Sequence, residues 1–145
     1  MNVYAERLGM INTNFVNSSG WPDDNHYSTV YDLGILSNAI IRDFPNLYTY
    51  FKMEEFTYND ITQPNRNKLL YQVQGADGLK TGFTKESGWG IAATALRNDR
   101  RITVVINGTN SSRSRLNESS NLINWAFNQT SQQTLVEKDQ FIKEV

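Results

Sequence analysis

Lys80, Thr81 and Gly82 stand together in the run Asp77-Gly78-Leu79-Lys80-Thr81-Gly82-Phe83-Thr84. An acyl-transfer site needs a cation near the reacting group, a hydroxyl to hold an anionic end of the substrate, and backbone N–H groups aimed at the carbonyl oxygen. A strand edge bearing these three residues offers all of them. Side chains alternate along a strand, so Lys80 and Gly82 share one side, and glycine leaves nothing to block the approach of a substrate backbone. The bland alternative is a polar tripeptide that opens a strand by chance, since so short a pattern is weak by itself. The single histidine, His26, lies in a polar loop with no serine or aspartate constellation around it. It is expected to be an exposed loop residue, because acid–base or nucleophilic work needs a positioned partner. Asp23, Asp24 and Asp60 sit where aspartates form turns. Trp21, Tyr48, Tyr50 and Phe51 are expected to pack in the core and in a hairpin.

The elements that must carry these residues follow from pattern. Asn2 to Leu8 reads as helical turns closed by Gly9. Residues 12–26 are turn-rich, with Asn-Ser-Ser-Gly followed by Trp21-Pro22-Asp23-Asp24-Asn25, and predict an irregular loop. Ser28 or Thr29 opens a helix, with the Asp32 carboxylate reaching back as in a capping box. Leu33, Leu36, Ile40 and Ile41 give that helix one apolar face, and it stops before Pro45. Tyr48-Thr49-Tyr50-Phe51 is aromatic and β-prone. Glu55-Phe56-Thr57-Tyr58 and Ile61-Thr62 predict a hairpin about Asn59-Asp60. Leu79 to Thr84 reads as a short extended segment. Trp89 to Leu96, without any charge, predicts a strand buried on both faces. It turns at Asn98-Asp99 into the β-branched strand Ile102-Thr103-Val104-Val105-Ile106. From Ser112, the positions Leu116, Ser119, Ile123 and Phe127, flanked by Leu122 and Trp125, predict an amphipathic helix of about four turns.

Composition narrows the classes. A chain of 145 residues is long enough for one domain. Cysteine is absent and histidine occurs once, so no disulfide, thiol nucleophile or cysteine or histidine-rich metal site is expected, and no cofactor. The net charge of −1, with both signs dispersed, argues against a nucleic-acid partner. No apolar run has the length of a membrane span. Met1 to Glu6 has no basic segment leading into an apolar one, so no signal peptide is read, and a chain translated alone from Met1 is expected in the cytoplasm.

Several blocks in one order make the tripeptide specific. They are Met1-Asn2-x-Tyr4-Ala5, Leu8-Gly9-Met10-x-Asn12-Thr13-x-Phe15, Tyr27-Ser28-Thr29-x-x-Asp32, Ala39-Ile40-Ile41-Arg42-Asp43-Phe44-Pro45, and Phe56-Thr57-Tyr58-Asn59. After these come Asn65-Arg66-Asn67-x-Leu69-Leu70, the Asp77–Gly82 run, Arg115-x-x-Glu118 and Leu122-Ile123-x-Trp125-Ala126-Phe127. Together they resemble the serine-type D-alanyl-D-alanine carboxypeptidases, the low-molecular-mass penicillin-binding proteins of peptidase family S11. Lys-Thr-Gly is also shared with serine β-lactamases, but the other blocks side with the carboxypeptidases. The resemblance implies an α/β (α+β) fold of the β-lactamase/transpeptidase type, an antiparallel sheet packed against helices. Residues 1–130 correspond to the later part of that domain, and 131–145 to a linker or the start of a second, β-rich domain.

Roles follow from the resemblance residue by residue. Lys80 would stand beside the serine of a second motif and orient protons. Thr81 would bind the terminal carboxylate of a peptidoglycan stem peptide ending in D-Ala-D-Ala. Gly82 keeps the strand open to it, and the backbone N–H of Phe83 would be one oxyanion donor. Arg115 would add positive charge for the carboxylate; from the residues alone it reads equally as a surface arginine near a helix start. Two positions depart from the pattern: Phe83 and Ser19 stand where many relatives have histidine, which alters the polarity of the pocket but not the backbone donor.

Two family motifs are missing where the pattern requires them. Ser-x-x-Lys, the nucleophile and its base, does not occur in these residues, and no Ser-x-Asn stands in a usable place. No catalytic nucleophile is therefore assigned here, and the fold is expected to be incomplete on its N-terminal side, with a sheet edge and an apolar face left open. The resemblance implies a part of a carboxypeptidase whose nucleophile wall would come from elsewhere, for instance a separately encoded N-terminal half, with β-lactams expected to react only where that half is supplied. By family the setting is the bacterial envelope or periplasm. The alternatives are a non-catalytic remnant that binds peptidoglycan peptide or a partner, and a pseudogene fragment.

Overall fold

Three antiparallel strands form the centre of the molecule, and they are where the β-branched and small apolar residues were expected to lie. The computed structural model describes residues 1–133, 135 and 136. The chain opens with helix α1 (Asn2–Arg7). Gly9, at φ +82°, closes it: the Gly9 N–H donates to Glu6 O and the Met10 N–H to Ala5 O, with both Ala5 and Met10 buried. This is a Schellman closure with its apolar contact, and it needs the left-handed backbone that glycine adopts without a Cβ penalty. A loop follows to helix α2 (Val30–Asp43), tied midway by a bridge between Asn14 and Tyr27.

Half of the expected capping box is present. Thr29 Oγ1 accepts from the Asp32 N–H at 3.0 Å, which satisfies one of the unpaired donors of the first turn. The Asp32 carboxylate does not reach back. It is fully buried and its Oδ2 accepts from the Asn12 N–H at 2.9 Å and the Thr13 hydroxyl at 2.6 Å. Asp32 thus ties the incoming loop to α2 instead of closing the cap. After Pro45 the chain does not extend. Pro45–Tyr48 forms a helical turn, α3, and Thr49–Lys52 a 3₁₀ turn, which corrects the β-prone reading of Tyr48 to Phe51. Proline presets the first helical φ, and burial of Tyr48 beneath the sheet overrides its strand propensity. Of the four aromatics expected to be packed, Tyr48 is buried and rests against Phe51 at 5.9 Å between ring centroids, but Trp21 and Tyr50 are exposed.

Strands β1 (Glu55–Tyr58) and β2 (Ile61–Pro64) form the expected hairpin. Asn59 and Asp60 both have positive φ, as a two-residue turn matched to strand twist requires. A single turn, α4 (Leu69–Gln72), leads into β3 (Ala76–Thr84), β4 (Gly88–Arg97) and β5 (Arg100–Thr109), which pair in the order β3-β4-β5. Asn98 and Asp99, also at positive φ, make the second tight hairpin. Helix α5 (Ser112–Gln129) is capped by Ser111 and, at 18 residues, is five turns long rather than four.

The main core lies between α5, α4 and one sheet face, where Leu69, Val73, Ile91, Ala93, Ala95, Val104 and Ile123 meet. Leu116 and Phe127 pack against this cluster, whereas Leu122 and Trp125 face outward. Helix α2 covers the other face of the sheet, where Thr103 Oγ1 donates to Asn38 Oδ1 at 2.7 Å. The charge-free stretch of β4, Trp89 to Leu96, is therefore covered on both sides, as expected. Among the described residues the outer edges of β3 and β5 pair with no strand, and an apolar groove of about 260 Å³ lies open between α1 and α2. Most of the stretch read as a linker, 131–145, lies outside the described residues.

One polar network fixes the start of β3. Arg101 of β5 grips Asp77 with two nitrogens at 2.7 and 2.8 Å, and Tyr48 and Thr94 hydroxyls donate to the same carboxylate at 2.8 and 2.7 Å. Burial pushes the Asp77 carboxyl up, but the bonds from Arg101, Thr94 and Tyr48 outweigh it, so it titrates below the ordinary value. A folded-state value below the unfolded one adds stability above about pH 4 and loses it as pH falls through the folded value. Asp77→Asn is expected to cost about 2 kcal/mol at neutral pH, since it leaves Arg101 without its counter-charge. The mutant's melting temperature should also depend less on pH below 4; equal acid slopes for both proteins would refute the assignment.

Candidate active site

The edge of β3 forms one wall of a cleft of about 930 Å³. Pairing with β4 on its inner side alone (Lys80 opposite Ala92, Thr81 opposite Ile91, Gly82 opposite Gly90, Phe83 opposite Trp89) leaves its outer backbone groups without a strand partner. Lys80, Thr81, Gly82, Phe83 and Arg115 all line this cleft, so the structure brings together every site residue expected from sequence. Lys80 and Gly82 are exposed on one side, while Thr81 lies deeper, at 8% exposure. A Cβ built on Gly82 meets nothing within 4 Å, so the space beside it is open.

Lys80 bonds through Nζ to the Thr81 carbonyl. Burial, then the positive charges of Arg66 and Arg115, lower its pKa from the ordinary lysine value. Arg115 is not the surface arginine that its helix position allowed. It is 6% exposed, and its Nη1 donates to Gly82 O at 3.3 Å and its Nη2 to Ser112 Oγ at 3.4 Å. No carboxylate pairs with it among the described residues, and burial lowers its pKa.

Sequence reasoning left out several parts of the cleft. Arg66 and Lys68 line it, making four cations with Lys80 and Arg115 and no carboxylate among the described lining residues. Arg66 is presented by two anchored asparagines: Asn65 Nδ2 donates to Met53 O and Asn67 Nδ2 to Gly78 O, both at 2.9 Å. The Asn-x-Asn pattern was a usable signal, because side-chain amides compete for backbone partners in irregular segments. The facing wall is the loop after α1. Asn17 Oδ1 accepts from the Gly20 and Trp21 N–H groups at 2.8 and 3.1 Å and so shapes the Ser19-Gly20 turn. His26 is half-buried, which corrects its reading as an exposed residue. Its Nδ1 accepts from the Val16 N–H at 3.1 Å, and its ring meets Phe15 edge-on at 5.8 Å. An accepting Nδ1 puts the proton on Nε2, so His26 braces the loop at the cleft. A Ser-x-Asn tripeptide does occur, Ser119-Ser120-Asn121, but Ser119 is fully buried in α5 and its hydroxyl donates to Arg115 O. It is not part of the cleft.

Known proteins share this fold. The chain superimposes on penicillin binding protein 5 from Haemophilus influenzae with a TM-score of 0.84 at 38% identity, over 88% of this chain and 38% of that one. It matches penicillin-binding protein D2 from Listeria monocytogenes, solved in a cefotaxime-bound form, with a TM-score of 0.81 at 32% identity over 87% of this chain and 53% of that one. The fold is thus of the penicillin-binding, transpeptidase-like type, as the sequence predicted. In sequence the chain is 41% identical over 128 residues to the D-alanyl-D-alanine carboxypeptidase DacC of Escherichia coli, covering 88% of this chain and 32% of the relative. The profile of the D-alanyl-D-alanine carboxypeptidase family, Peptidase_S11, matches residues 1–110, and the chain belongs to that family. It spans about a third of the length of the curated relatives it matches.

Proposed function

We propose that these residues form the substrate-side wall of a serine D-Ala-D-Ala carboxypeptidase site. The observation that carries this reading is a cleft with four cations and no carboxylate among its described lining residues, set against an open β3 edge. In this reading Arg115 and the Thr81 hydroxyl hold the C-terminal carboxylate of a stem peptide. The peptide backbone lies beside Gly82, and the Phe83 N–H points at the scissile carbonyl oxygen. A serine from residues outside this chain attacks that carbonyl and D-alanine leaves; water then hydrolyses the acyl-enzyme. Lys80, its pKa lowered, stands at the reacting end, where proton transfer to and from the serine is needed. Residues 131–145 lead toward a further domain. The nucleophile motifs reach the cleft within a longer polypeptide or from a separately encoded N-terminal half, and the working place is the cell envelope, where the peptide substrate lies.

A second reading rests on the same cleft and the missing Ser-x-x-Lys: this chain binds the peptide without turning it over. Both readings require recognition of a terminal carboxylate. N-acetyl-D-Ala-D-Ala is expected to shift the amide resonances of Lys80 to Thr84, while its C-terminal amide does not. Arg115→Ala should weaken the acid about tenfold, as loss of a charge-assisted contact does. No shift at millimolar peptide would sink both readings.

A further inference from the structure

We propose that Trp89 is the positioning residue for Arg115, holding the guanidinium in the cleft by its ring face so that the positive charge stays free for an incoming carboxylate. The inference rests on the reading of the cleft as a carboxylate site. Buried guanidinium groups are ordinarily paired with acids, and a paired acid would fix Arg115 but cancel the charge that a substrate needs. Here the guanidinium carbon lies 5.3 Å from the centre of the Trp89 ring, within the range of a cation–π contact. The other contacts of Arg115 are to neutral acceptors at 3.3 and 3.4 Å, beyond the usual hydrogen-bond distances.

Trp89 is itself held. Across the β3–β4 pair its ring packs on Phe83, with centroids 4.4 Å apart and planes at 35°. Its carbonyl accepts from Thr109 Oγ1 at 2.9 Å. The β4–β5 register shifts just beyond it, between Trp89 and Ile91, where Gly108 takes φ +75°. Bulges of this kind change the direction in which neighbouring side chains point. Three planar groups therefore stack from α5 to β4 to β3: Arg115, Trp89, Phe83. The stack links the charge that would bind the carboxylate to the residue whose N–H would face the carbonyl. It gives the Phe83 side chain a task separate from that of its backbone.

The test uses the full chain as wild type, Trp89→Leu and Trp89→Phe, with ¹⁵N-resolved arginine side-chain NMR and titration by N-acetyl-D-Ala-D-Ala and its C-terminal amide. In the wild type, the Arg115 Nε–H resonance is expected to be shifted by the ring. Trp89→Leu should return it to the free-arginine position, and Trp89→Phe should keep most of the shift. Binding of the acid should weaken about fivefold to tenfold in Trp89→Leu and recover in Trp89→Phe, because phenylalanine keeps a π face. Trp89→Phe also guards against a leucine variant that fails to fold. An Arg115 resonance and an acid affinity unchanged in Trp89→Leu overturn the proposal while the carboxylate reading stands. A wild type that shows the shifted resonance but binds acid and amide alike overturns the carboxylate reading, and with it the purpose assigned to Trp89.

Discussion

A fluorescent penicillin is expected to leave no SDS-stable label on these 145 residues. Acylation needs an activated serine beside a base, and Ser-x-x-Lys does not occur in the chain. The serines that line the cleft, Ser18, Ser19, Ser87 and Ser112, do not supply one: none is followed three residues later by lysine. Ser87 Oγ is bonded to Thr84 Oγ1 and Ser112 Oγ accepts from Arg115. The cleft keeps the donors and cations that would stabilise charge, and such groups alone leave a rate about 10³–10⁴-fold over water, without a covalent intermediate. The measurement is gel fluorescence after exposure to the probe, with a penicillin-binding protein of the same family as positive control. A labelled band at the mass of this chain would show that one of its own serines is the nucleophile. A polypeptide that joins this chain to segments bearing Ser-x-x-Lys and Ser-x-Asn should be labelled.

Gly82→Val should remove peptide binding while leaving the fold intact. A Cβ at Gly82 meets no atom within 4 Å, and its backbone lies outside the left-handed region, so the folded protein accommodates the larger side chain. The expected change in melting temperature is within about 2 °C, since surface substitutions away from special contacts stay near ±0.5 kcal/mol. The same branched side chain fills the space beside β3 where a substrate backbone would lie. Affinity for N-acetyl-D-Ala-D-Ala should drop by more than about a hundredfold, because backbone contacts along the strand are lost together with the carboxylate geometry. Gly75→Val is the opposite case: φ is +75° and a Cβ there lies 2.3 Å from the Leu96 carbonyl oxygen, so the cost falls on folding. Equal peptide affinity for wild type and Gly82→Val would place the substrate elsewhere.

The parts of this protein that were legible in sequence are those governed by local chemistry. Asn59-Asp60 and Asn98-Asp99 mark tight turns because asparagine and aspartate tolerate positive φ. Gly9 marks a helix end for the related reason, and Trp89 to Leu96 shows a doubly covered strand by carrying no charge. Lys80-Thr81-Gly82 pointed to the strand that borders the cleft because several blocks in one order stand around a tripeptide that is weak by itself. Tyr48 to Phe51 misled because the competing forces were distant: burial of the Tyr48 hydroxyl beside Asp77, Thr94 and Arg101 outweighs an intrinsic strand preference. Asp32 misled in the same way, its carboxylate being claimed by Asn12 and Thr13 about twenty residues away.

The sequence by itself determined the family, the positions of the turns and the strand whose Lys80, Thr81 and Gly82 border the cleft. These depend on residue types at fixed short spacings, which the chain carries wherever it folds. Only the tertiary structure decided that Arg115 is buried in the cleft and not on the surface, that Trp89 packs between it and Phe83, and that Arg66 and Lys68 join the two other cations of a cleft with no acid among its described lining residues. Those facts depend on α5 crossing the sheet next to the start of β4 and on α4 lying under β3. Arg115 stands 26 positions from Trp89 and 49 from Arg66 in the chain, separations whose cost and benefit are set by packing and so leave no mark in local sequence.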